Sequence, residues 1–222
     1  MIMIWPCIYQ VIYNVYITSD LNFQVCGHKW ADISEYSFGL AILNDSKYGY
    51  SCLDNVLRLS LLRSPKAPDM TADMGTHKFT YAIMPHTGSF QEAGVIQQAY
   101  NLNCPLYVGQ RDNGGDIALA NNVGTDPTSF FKLDTPQVIL ETVKRCEKKV
   151  NSIVLRVYEA FGGETRTCLM CLLPFTNIYR CNGLEDQIPT EETIGEEIDV
   201  GENEITFTIK SFQVISFIID LQ

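Results

Sequence analysis

Two cysteines, Cys168 and Cys171, have the Cys-x-x-Cys spacing of zinc knuckles and redox-active dithiols. A structural zinc site needs four ligands, and no second Cys-x-x-Cys accompanies this one. The residues around the pair are apolar and typical of a strand, in which side chains three positions apart point to opposite faces. We therefore interpret both cysteines as structural residues.

The remaining chemistry-bearing residues form no recognisable local site. The three histidines, His28, His77 and His86, form neither a His-x-Asp nor a His-x-x-His pair. The polar segment 111–116 lacks the ligand spacing and the terminal Glu of a calcium-binding EF-hand loop, so it predicts a turn. The sequence contains neither a Gly-x-Ser-x-Gly nucleophile elbow nor a Walker phosphate-binding loop. Spacing alone therefore predicts no catalytic machinery in this chain.

The charge balance excludes some classes of partner. The chain carries 16 Lys and Arg against 26 Asp and Glu, a formal net charge of −10. This composition argues against nucleic-acid binding, which needs clustered basic residues to neutralise phosphates. The eight cysteines are irregularly spaced. A disulfide framework is an alternative, but free thiols in a reducing compartment are the simpler interpretation.

The elements that would position these residues are mostly short strands separated by turn residues. Residues 205–210 and 212–221 alternate apolar and polar side chains, which predicts strands with one buried face. Pro85 is expected to end the third of the other strands. Those other strands are predicted at residues 38–44, 56–63, 78–84, 137–144, 152–160 and 166–173.

One helix is predicted, at residues 89–101, where Ser89 and Glu92 have capping-box spacing and Gly94 weakens the pattern. Residues 109–127 are polar and predict a long loop. The acidic stretch 183–201 is open to two interpretations, a cation or partner site or a solvated hairpin loop, and we favour the loop. The fold class expected is all-β, an antiparallel β-sandwich in two subregions with at most one short helix.

The first 17 residues are apolar and carry no charged side chain. Without a basic flank they do not resemble a signal peptide, and they are short for a membrane span. Residues 9–17 are rich in Ile, Val and Tyr, which favours a strand. A poorly ordered leader and a targeting segment remain as alternatives.

Four stretches are distinctive and resemble the C-terminal β region of glycoside hydrolase family 38, the zinc-dependent retaining α-mannosidases, in particular the cytosolic and vacuolar branch. They are GHKWADISE (27–35), FGLAILNDSKYGY (38–50), LRLSLLRSPKAPD (57–69) and ADMGTHKFTYAIMPH (72–86). Residues 91–103 and 212–216 extend the likeness. The resemblance divides the chain into a leader that does not match (1–22), a first β-sandwich region (23–108), a linker (109–135) and a C-terminal β-sandwich region (136–222).

The resemblance implies that the catalytic groups lie elsewhere. In the family, an N-terminal α/β domain supplies a Zn²⁺ ion held by His and Asp, an Asp nucleophile and an acid/base carboxylate. This chain is similar only to the β region that follows. The resemblance therefore assigns it no catalytic residue, no metal ligand and no cofactor of its own; Zn²⁺ or Co²⁺ belongs to the full-length enzyme.

One loop is expected to approach the substrate in the full-length enzyme. The resemblance places it at residues 44–48, where the substrate-binding candidates are Asn44, Asp45, Lys47 and Tyr48. Their amide, carboxylate, ammonium and phenol groups suit hydrogen bonding to sugar hydroxyls, and Tyr can stack on a sugar ring. The alternative is an ordinary Asn-Asp turn.

The function expected is that of a non-catalytic C-terminal portion of an α-mannosidase, inactive by itself. Whether the chain counts as an enzyme is left open. The alternatives are an autonomous carbohydrate-binding module and a non-functional truncated product. The expected partners are an oligomannoside, reached through the missing catalytic domain, and a second copy in a homo-oligomer, with no nucleic acid and no membrane. The expected location is the cytoplasm, with the vacuole or lysosome as the alternative.

Overall fold

The computed structural model of the protein describes residues 2–3, 24–108, 129–189 and 198–222. These residues form two compact units, Met1–Arg111 and Asp112–Gln222. Every strand pair within them is antiparallel. The strands of the first unit are β1 (Ile2–Met3), β2 (Val25–Cys26), β3 (Trp30–Ser34), β4 (Phe38–Asn44), β5 (Gly49–Leu53), β6 (Val56–Leu59) and β7 (Tyr81–Thr87), followed by helix α1 (Val95–Asn103). The strands of the second unit are β8 (Phe131–Leu133), β9 (Val138–Arg145), β10 (Ser152–Glu159), β11 (Thr165–Cys171), β12 (Phe175–Cys181), β13 (Ile198–Val200), β14 (Glu204–Ile209) and β15 (Val214–Leu221).

The first unit contains a four-stranded sheet, in the order β1-β3-β4-β7, and a three-stranded sheet, in the order β2-β5-β6. Helix α1 packs against β3 and β4. Its Val95, Ile96 and Ala99 are buried. Trp30 of β3 stacks on Phe90, with 5.1 Å between the ring centroids. The core of this unit therefore lies between the helix and one face of the larger sheet.

The other face of β4 and β7 leaves apolar side chains in solvent. Ile42 lies directly opposite Ile83, and Leu40 opposite Pro85, so these residues share one face. Phe38, Tyr81 and Ile83 remain 50%, 53% and 63% exposed. We call this surface, made by Phe38, Tyr81, Ile83 and Pro85, the outer face.

The second unit is a sandwich of two four-stranded sheets, β12-β15-β10-β9 and β13-β14-β11-β8. Phe207 of β14 contacts Phe217 of β15 with 5.0 Å between ring centroids, which joins the two sheets. Inward-facing residues of both sheets form one continuous core. Its buried members are Val138, Leu155, Val157, Leu169, Cys171, Ile205, Phe207, Ile209, Ile215, Phe217 and Ile219.

The all-β antiparallel fold is confirmed, and several strands agree closely with the sequence pattern. β4 has the predicted bounds, Phe38–Asn44. β9, β10 and β11 begin within one residue of their predicted starts. In β14 the predicted alternation is also observed, since Ile205, Phe207 and Ile209 are buried.

The prediction that Pro85 ends its strand is wrong, because β7 continues to Thr87. β7 is the last strand in the order of its sheet. A proline is tolerated at a sheet edge because its missing N–H is not needed by a neighbour there. β6 in turn is shorter than predicted and ends at Leu59, which pairs with Tyr50 near the start of β5.

The predicted alternation of the last strand is wrong as well. From Ile215 to Asp220 every residue of β15 is buried. The strand lies between β10 and β12, with one face in the sandwich core. Its other face packs beside Val154 and Cys181. Because both faces of β15 are covered, no face of the strand is exposed to solvent.

The helix begins at Val95, later than predicted, because Gly94 adopts a left-handed conformation with φ 67°. The capping box does form, but in a separate turn. The backbone N–H of Ser89 donates to Glu92 Oε2 at 2.9 Å, and the N–H of Glu92 donates to Ser89 Oγ at 3.2 Å.

The predicted N-terminal strand at 9–17 and the loop at 109–127 lie outside the described residues, as does the stretch 190–197. No helix in the described part of the chain is long and apolar enough to span a bilayer.

Candidate functional site

The loop at residues 44–48 joins β4 to β5, and Asn44 anchors it from within. Asn44 is 1% exposed. Its Oδ1 accepts a hydrogen bond from the Lys47 backbone N–H at 2.6 Å, while its Nδ2 donates to the phenol oxygen of Tyr50. Asn103 of α1 donates from Nδ2 to the Asn44 carbonyl oxygen at 2.9 Å. The Asn44 side chain thus positions the loop and does not extend into solvent.

Asp45 points outward from the same loop and is held in place by the chain that enters β7. Its Oδ1 accepts hydrogen bonds from the backbone N–H of Thr80 at 3.0 Å and from the Ser46 hydroxyl at 2.8 Å. The bond from Thr80 is the main reason that the pKa of Asp45 lies below its ordinary value. The loop therefore presents a fixed carboxylate at neutral pH.

Partly buried Lys47 and exposed Tyr48 supply the other polar and aromatic groups of the loop. The ammonium of Lys47 lies 4.6 Å from the centroid of the Phe79 ring, a cation–π contact that holds it over the loop. Tyr48 is 54% exposed, and the His28 ring meets it in a T-shaped contact at 4.8 Å. The loop thus offers carboxylate, ammonium and aromatic groups to solvent, which are groups that can bind a polyol or a sugar ring.

Two residues that support this loop were not identified from the sequence. Tyr50 is fully buried, and burial raises the pKa of its phenol to about 12. It therefore stays protonated at neutral pH, and its phenol oxygen accepts the hydrogen bond from Asn44. Asn103 reaches the loop from 59 residues away. No local pattern could have indicated either contact.

A buried pair, His86 and Asp32, was also missed. His86 Nε2 lies 2.8 Å from Asp32 Oδ1, and both side chains are 2% exposed. His86 Nδ1 is buried and has no hydrogen-bond partner in the described part of the chain. An imidazole and a carboxylate in contact can share a proton, and little of either side chain is exposed to solvent. His86 and Glu92 border an open surface depression of about 650 Å³.

The described residues do not fit the zinc centre that the resemblance implies for the full-length enzyme. His86 bonds Asp32, whereas His77 Nε2 lies 2.9 Å from the Asp73 carbonyl oxygen and His28 packs against Tyr48. In residues 24–108, 129–189 and 198–222, no three His, Cys, Asp or Glu side chains gather into a possible metal site. We therefore derive no chemical step through a metal in this chain.

The Cys-x-x-Cys pair lies in β11, as predicted. Cys171 is buried in the sandwich core, and burial raises the pKa of its thiol. Cys168 is partly buried and both thiols are free. The pair therefore lies within a regular strand.

The described part of the acidic stretch packs on its own unit. Glu185 Oε1 accepts from the Lys144 ammonium at 2.6 Å, and Oε2 accepts from the Glu147 backbone N–H at 2.6 Å. These two bonds, with the Lys144 bond the stronger cause, lower the pKa of Glu185 to about 2. Asp186 forms an ion pair with Lys148. These two carboxylates already have cationic partners within their own unit.

Two family models match the chain in its two units. Residues 17–71 match the glycosyl hydrolases family 38 C-terminal domain. Residues 137–217 match the glycosyl hydrolases family 38 C-terminal beta sandwich domain. Together the two models match more than half of the chain.

Curated relatives extend over most of this chain. It is 46% identical over 198 residues to "Alpha-mannosidase G" of Dictyostelium discoideum, covering 88% of this chain and 18% of the relative. It is 47% identical over 205 residues to "Alpha-mannosidase 2C1" of Mus musculus, covering 90% of this chain and 18% of the relative. It is 38% identical over 211 residues to "Alpha-mannosidase" of Saccharomyces cerevisiae, covering 88% of this chain and 19% of the relative. The chain therefore spans less than one fifth of the length of these relatives.

Solved structures show the same fold. A family 38 glycosyl hydrolase from Enterococcus faecalis superposes with a TM-score of 0.64 at 16% identity, over 90% of this chain and 23% of the other. An α-mannosidase from E. faecalis V583 gives a TM-score of 0.64 at 17% identity, over 90% of this chain and 21% of the other.

Proposed function

Because the chain belongs to the C-terminal β region of glycosyl hydrolase family 38, we propose that it is a non-catalytic part of an α-mannosidase. In this proposal the complete enzyme removes terminal α-D-mannose from oligomannosides, and the 222-residue chain alone is inactive. The observation that carries the proposal is the unequal coverage: relatives match about nine tenths of this chain, while the chain spans about 18% of them.

The outer face supports a packing role. Phe38, Tyr81 and Ile83 are half exposed or more and lie together on one side of β4 and β7. Apolar side chains grouped on one surface are typical of a contact with another protein surface. In the proposal, the outer face packs against the larger remaining part of an α-mannosidase.

The loop at 44–48 supplies the proposed substrate contact. Asp45, Lys47 and Tyr48 extend from it, while Asn44 fixes its shape through Tyr50 and Lys47. In the complete enzyme the three outward groups would bind mannose hydroxyls beside the reacting bond. Such a contact accelerates hydrolysis only if it is stronger in the transition state than in the ground state.

A carbohydrate-binding module without catalytic partners is the second candidate, and the exposed loop is the observation that favours it. In that case the chain alone would bind oligomannosides. A non-functional truncated product is the third candidate, and it predicts neither binding nor complementation. The proposed location is the cytoplasm. Two or more disulfides in the native protein would overturn it, because disulfides persist in oxidising compartments.

A chimera separates these candidates. The matching C-terminal region of the Dictyostelium α-mannosidase G is replaced by this chain, and hydrolysis of an aryl α-mannoside is measured with Zn²⁺ or Co²⁺ present. We expect turnover from the chimera and none from the chain alone. Ile83→Asp, which places a charge on the outer face, should make the chimera insoluble. The matched change is Val143→Asp, at a half-exposed position of the second unit, and it should leave the chimera soluble.

Two results contradict the proposal. One is turnover by the purified chain alone that falls when one of its own carboxylates is changed to an amide. The other is tight binding of oligomannoside by the chain alone in calorimetry, together with a folded but inactive chimera. The second result would favour the carbohydrate-binding module.

A further inference from the structure

Cys26 and His28 form a thiol–imidazole pair at the end of β2. Cys26 is exposed, and its Sγ lies 3.8 Å from His28 Nε2, within hydrogen-bonding reach for sulfur. When the ring proton is on Nδ1, Nε2 can accept the thiol proton. A nucleophile beside a base is the arrangement that activates cysteine chemistry.

The surrounding backbone holds the two side chains in this position. The Gly27 N–H donates to the Tyr48 carbonyl oxygen at 2.9 Å, and the Trp30 N–H donates to the His28 carbonyl oxygen at 2.7 Å. Cys26 pairs with Gly49 across the β2–β5 ladder. The Tyr48 ring, 4.8 Å from the His28 ring, limits how the imidazole can turn.

The other described cysteines lack this combination. Cys104 is exposed, but no imidazole of the described residues is hydrogen-bonded to its sulfur. Cys52 is partly buried, and burial raises the pKa of its thiol. Cys171 and Cys181 are buried, and the pKa of Cys181 is raised to about 11. Since the thiolate is the nucleophile, these three are expected to react slowly.

We propose that Cys26 is a modification site that undergoes thiol–disulfide exchange with small disulfides such as glutathione disulfide, with His28 as the base. In this step the Cys26 thiol proton moves to His28 Nε2 and the sulfur attacks one sulfur of the disulfide. The disulfide bond breaks, a mixed disulfide forms on Cys26, and the leaving thiolate takes the proton from His28. No other oxidant is required.

The adduct would lie beside the loop at 44–48. Tyr48 contacts the same imidazole that serves Cys26, and its carbonyl oxygen accepts the bond from Gly27. A tripeptide attached to Cys26 would compete with Tyr48 for this space. The site therefore connects the redox state of the surroundings to an exposed side chain of the loop.

The test uses the reduced 222-residue chain at neutral pH with glutathione disulfide, and mass spectrometry of its peptides follows each cysteine over time. We expect Cys26 to be modified about fivefold faster than Cys104. His28→Asn should slow the modification of Cys26 by at least about threefold and leave the rate of modification of Cys104 unchanged. Far-UV circular dichroism establishes that the variant is folded.

Equal rates at Cys26 and Cys104 in the unmodified sequence would overturn the proposal, and this comparison needs no variant. Folded His28→Asn protein in which Cys26 reacts as fast as before would overturn it too. The outcome does not depend on mannosidase activity, so it is separate from the proposed function.

Discussion

His86 Nε2 and Asp32 Oδ1 are 2.8 Å apart although their strands, β7 and β3, are not neighbours. β4 lies between them, and its Gly39 is paired with both His86 and Ser34. Because Gly39 has no side chain, the His86 ring can cross over β4. A Cβ atom at position 39 would overlap Cε1 and Nε2 of that ring.

Gly39→Ala is therefore expected to destabilise the first unit by about 1–3 kcal/mol, the usual cost of overfilling a packed site. The ring must move, and Asp32 then loses its partner inside the protein. Urea unfolding followed by the fluorescence of buried Trp30 measures the effect. Gly183→Ala is the control, because a Cβ at position 183 has no neighbour within 4 Å. Equal stability of both variants would contradict the packing argument.

Tyr50→Phe removes the acceptor of the buried Asn44 amide. An unpaired buried donor costs about 1–3 kcal/mol, so we expect a loss of that size in the free energy of unfolding. Tyr48→Phe removes a hydroxyl from a half-exposed ring and should change stability by less than about 0.5 kcal/mol. Chemical denaturation of the two variants compares these values directly. Similar losses for both would mean that Asn44 does not depend on Tyr50.

The Glu185 carboxylate makes the free energy of unfolding of the second unit depend on pH in the acidic range. Its pKa is lowered to about 2 in the folded protein, from an ordinary value near 4.5. A carboxyl with a depressed folded pKa contributes stability that is complete above its unfolded pKa and declines as the pH falls towards the folded pKa. We expect the urea midpoint to fall between about pH 5 and pH 2.

In Glu185→Gln this decline should be shallower, since the ion pair with Lys144 is already absent at neutral pH. Exposed Glu202 offers the matched control, Glu202→Gln. The measurement is a series of urea midpoints from pH 7 to pH 3. An unchanged pH dependence in Glu185→Gln would show that another group controls the acid sensitivity.

Glu159 is a buried carboxylate that joins two turns distant in sequence. It accepts hydrogen bonds from the N–H groups of Phe161, Gly162 and Phe212 at 2.7–3.0 Å. In Glu159→Gln an amide NH₂ faces these donors, so we expect a loss of about 2–3 kcal/mol. Glu164→Gln, at an exposed position near the same turn, should be nearly neutral. Thermal unfolding distinguishes the two, and a neutral Glu159→Gln would contradict the role of the carboxylate.

Local patterns predicted the elements whose environment is simple. β14 has one buried face, so hydrophobic periodicity located it, whereas β4 was predicted as a short apolar run followed by turn residues. β3, β5 and β12 were not predicted, because Trp30–Ser34, Gly49–Leu53 and Phe175–Cys181 mix polar and apolar residues without a clean period. Pro85 is tolerated because β7 is an edge strand of the assembled sheet. The neighbouring residues alone do not indicate that position.

The candidate loop was located from the resemblance, but its internal contacts could not be predicted. Sequence identifies Asn44 as a polar residue suited to binding. Its burial and its bond to Tyr50 depend on how β4 and β5 diverge. The Asp32–His86 contact joins residues 54 positions apart, and only the three-strand arrangement around Gly39 brings them together.

The position of β15 has a consequence for how the chain is made. β15 comes after β9, β10 and β12 in the sequence but lies between β10 and β12 in the sheet. A ribosome that has reached residue 213 has produced both flanking strands but not the strand that lies between them. Until residues 214–221 leave the exit tunnel, β10 and β12 each expose an edge to chaperones and to other nascent chains. A premature stop codon shortly before β15 would therefore leave a product that cannot close this sheet.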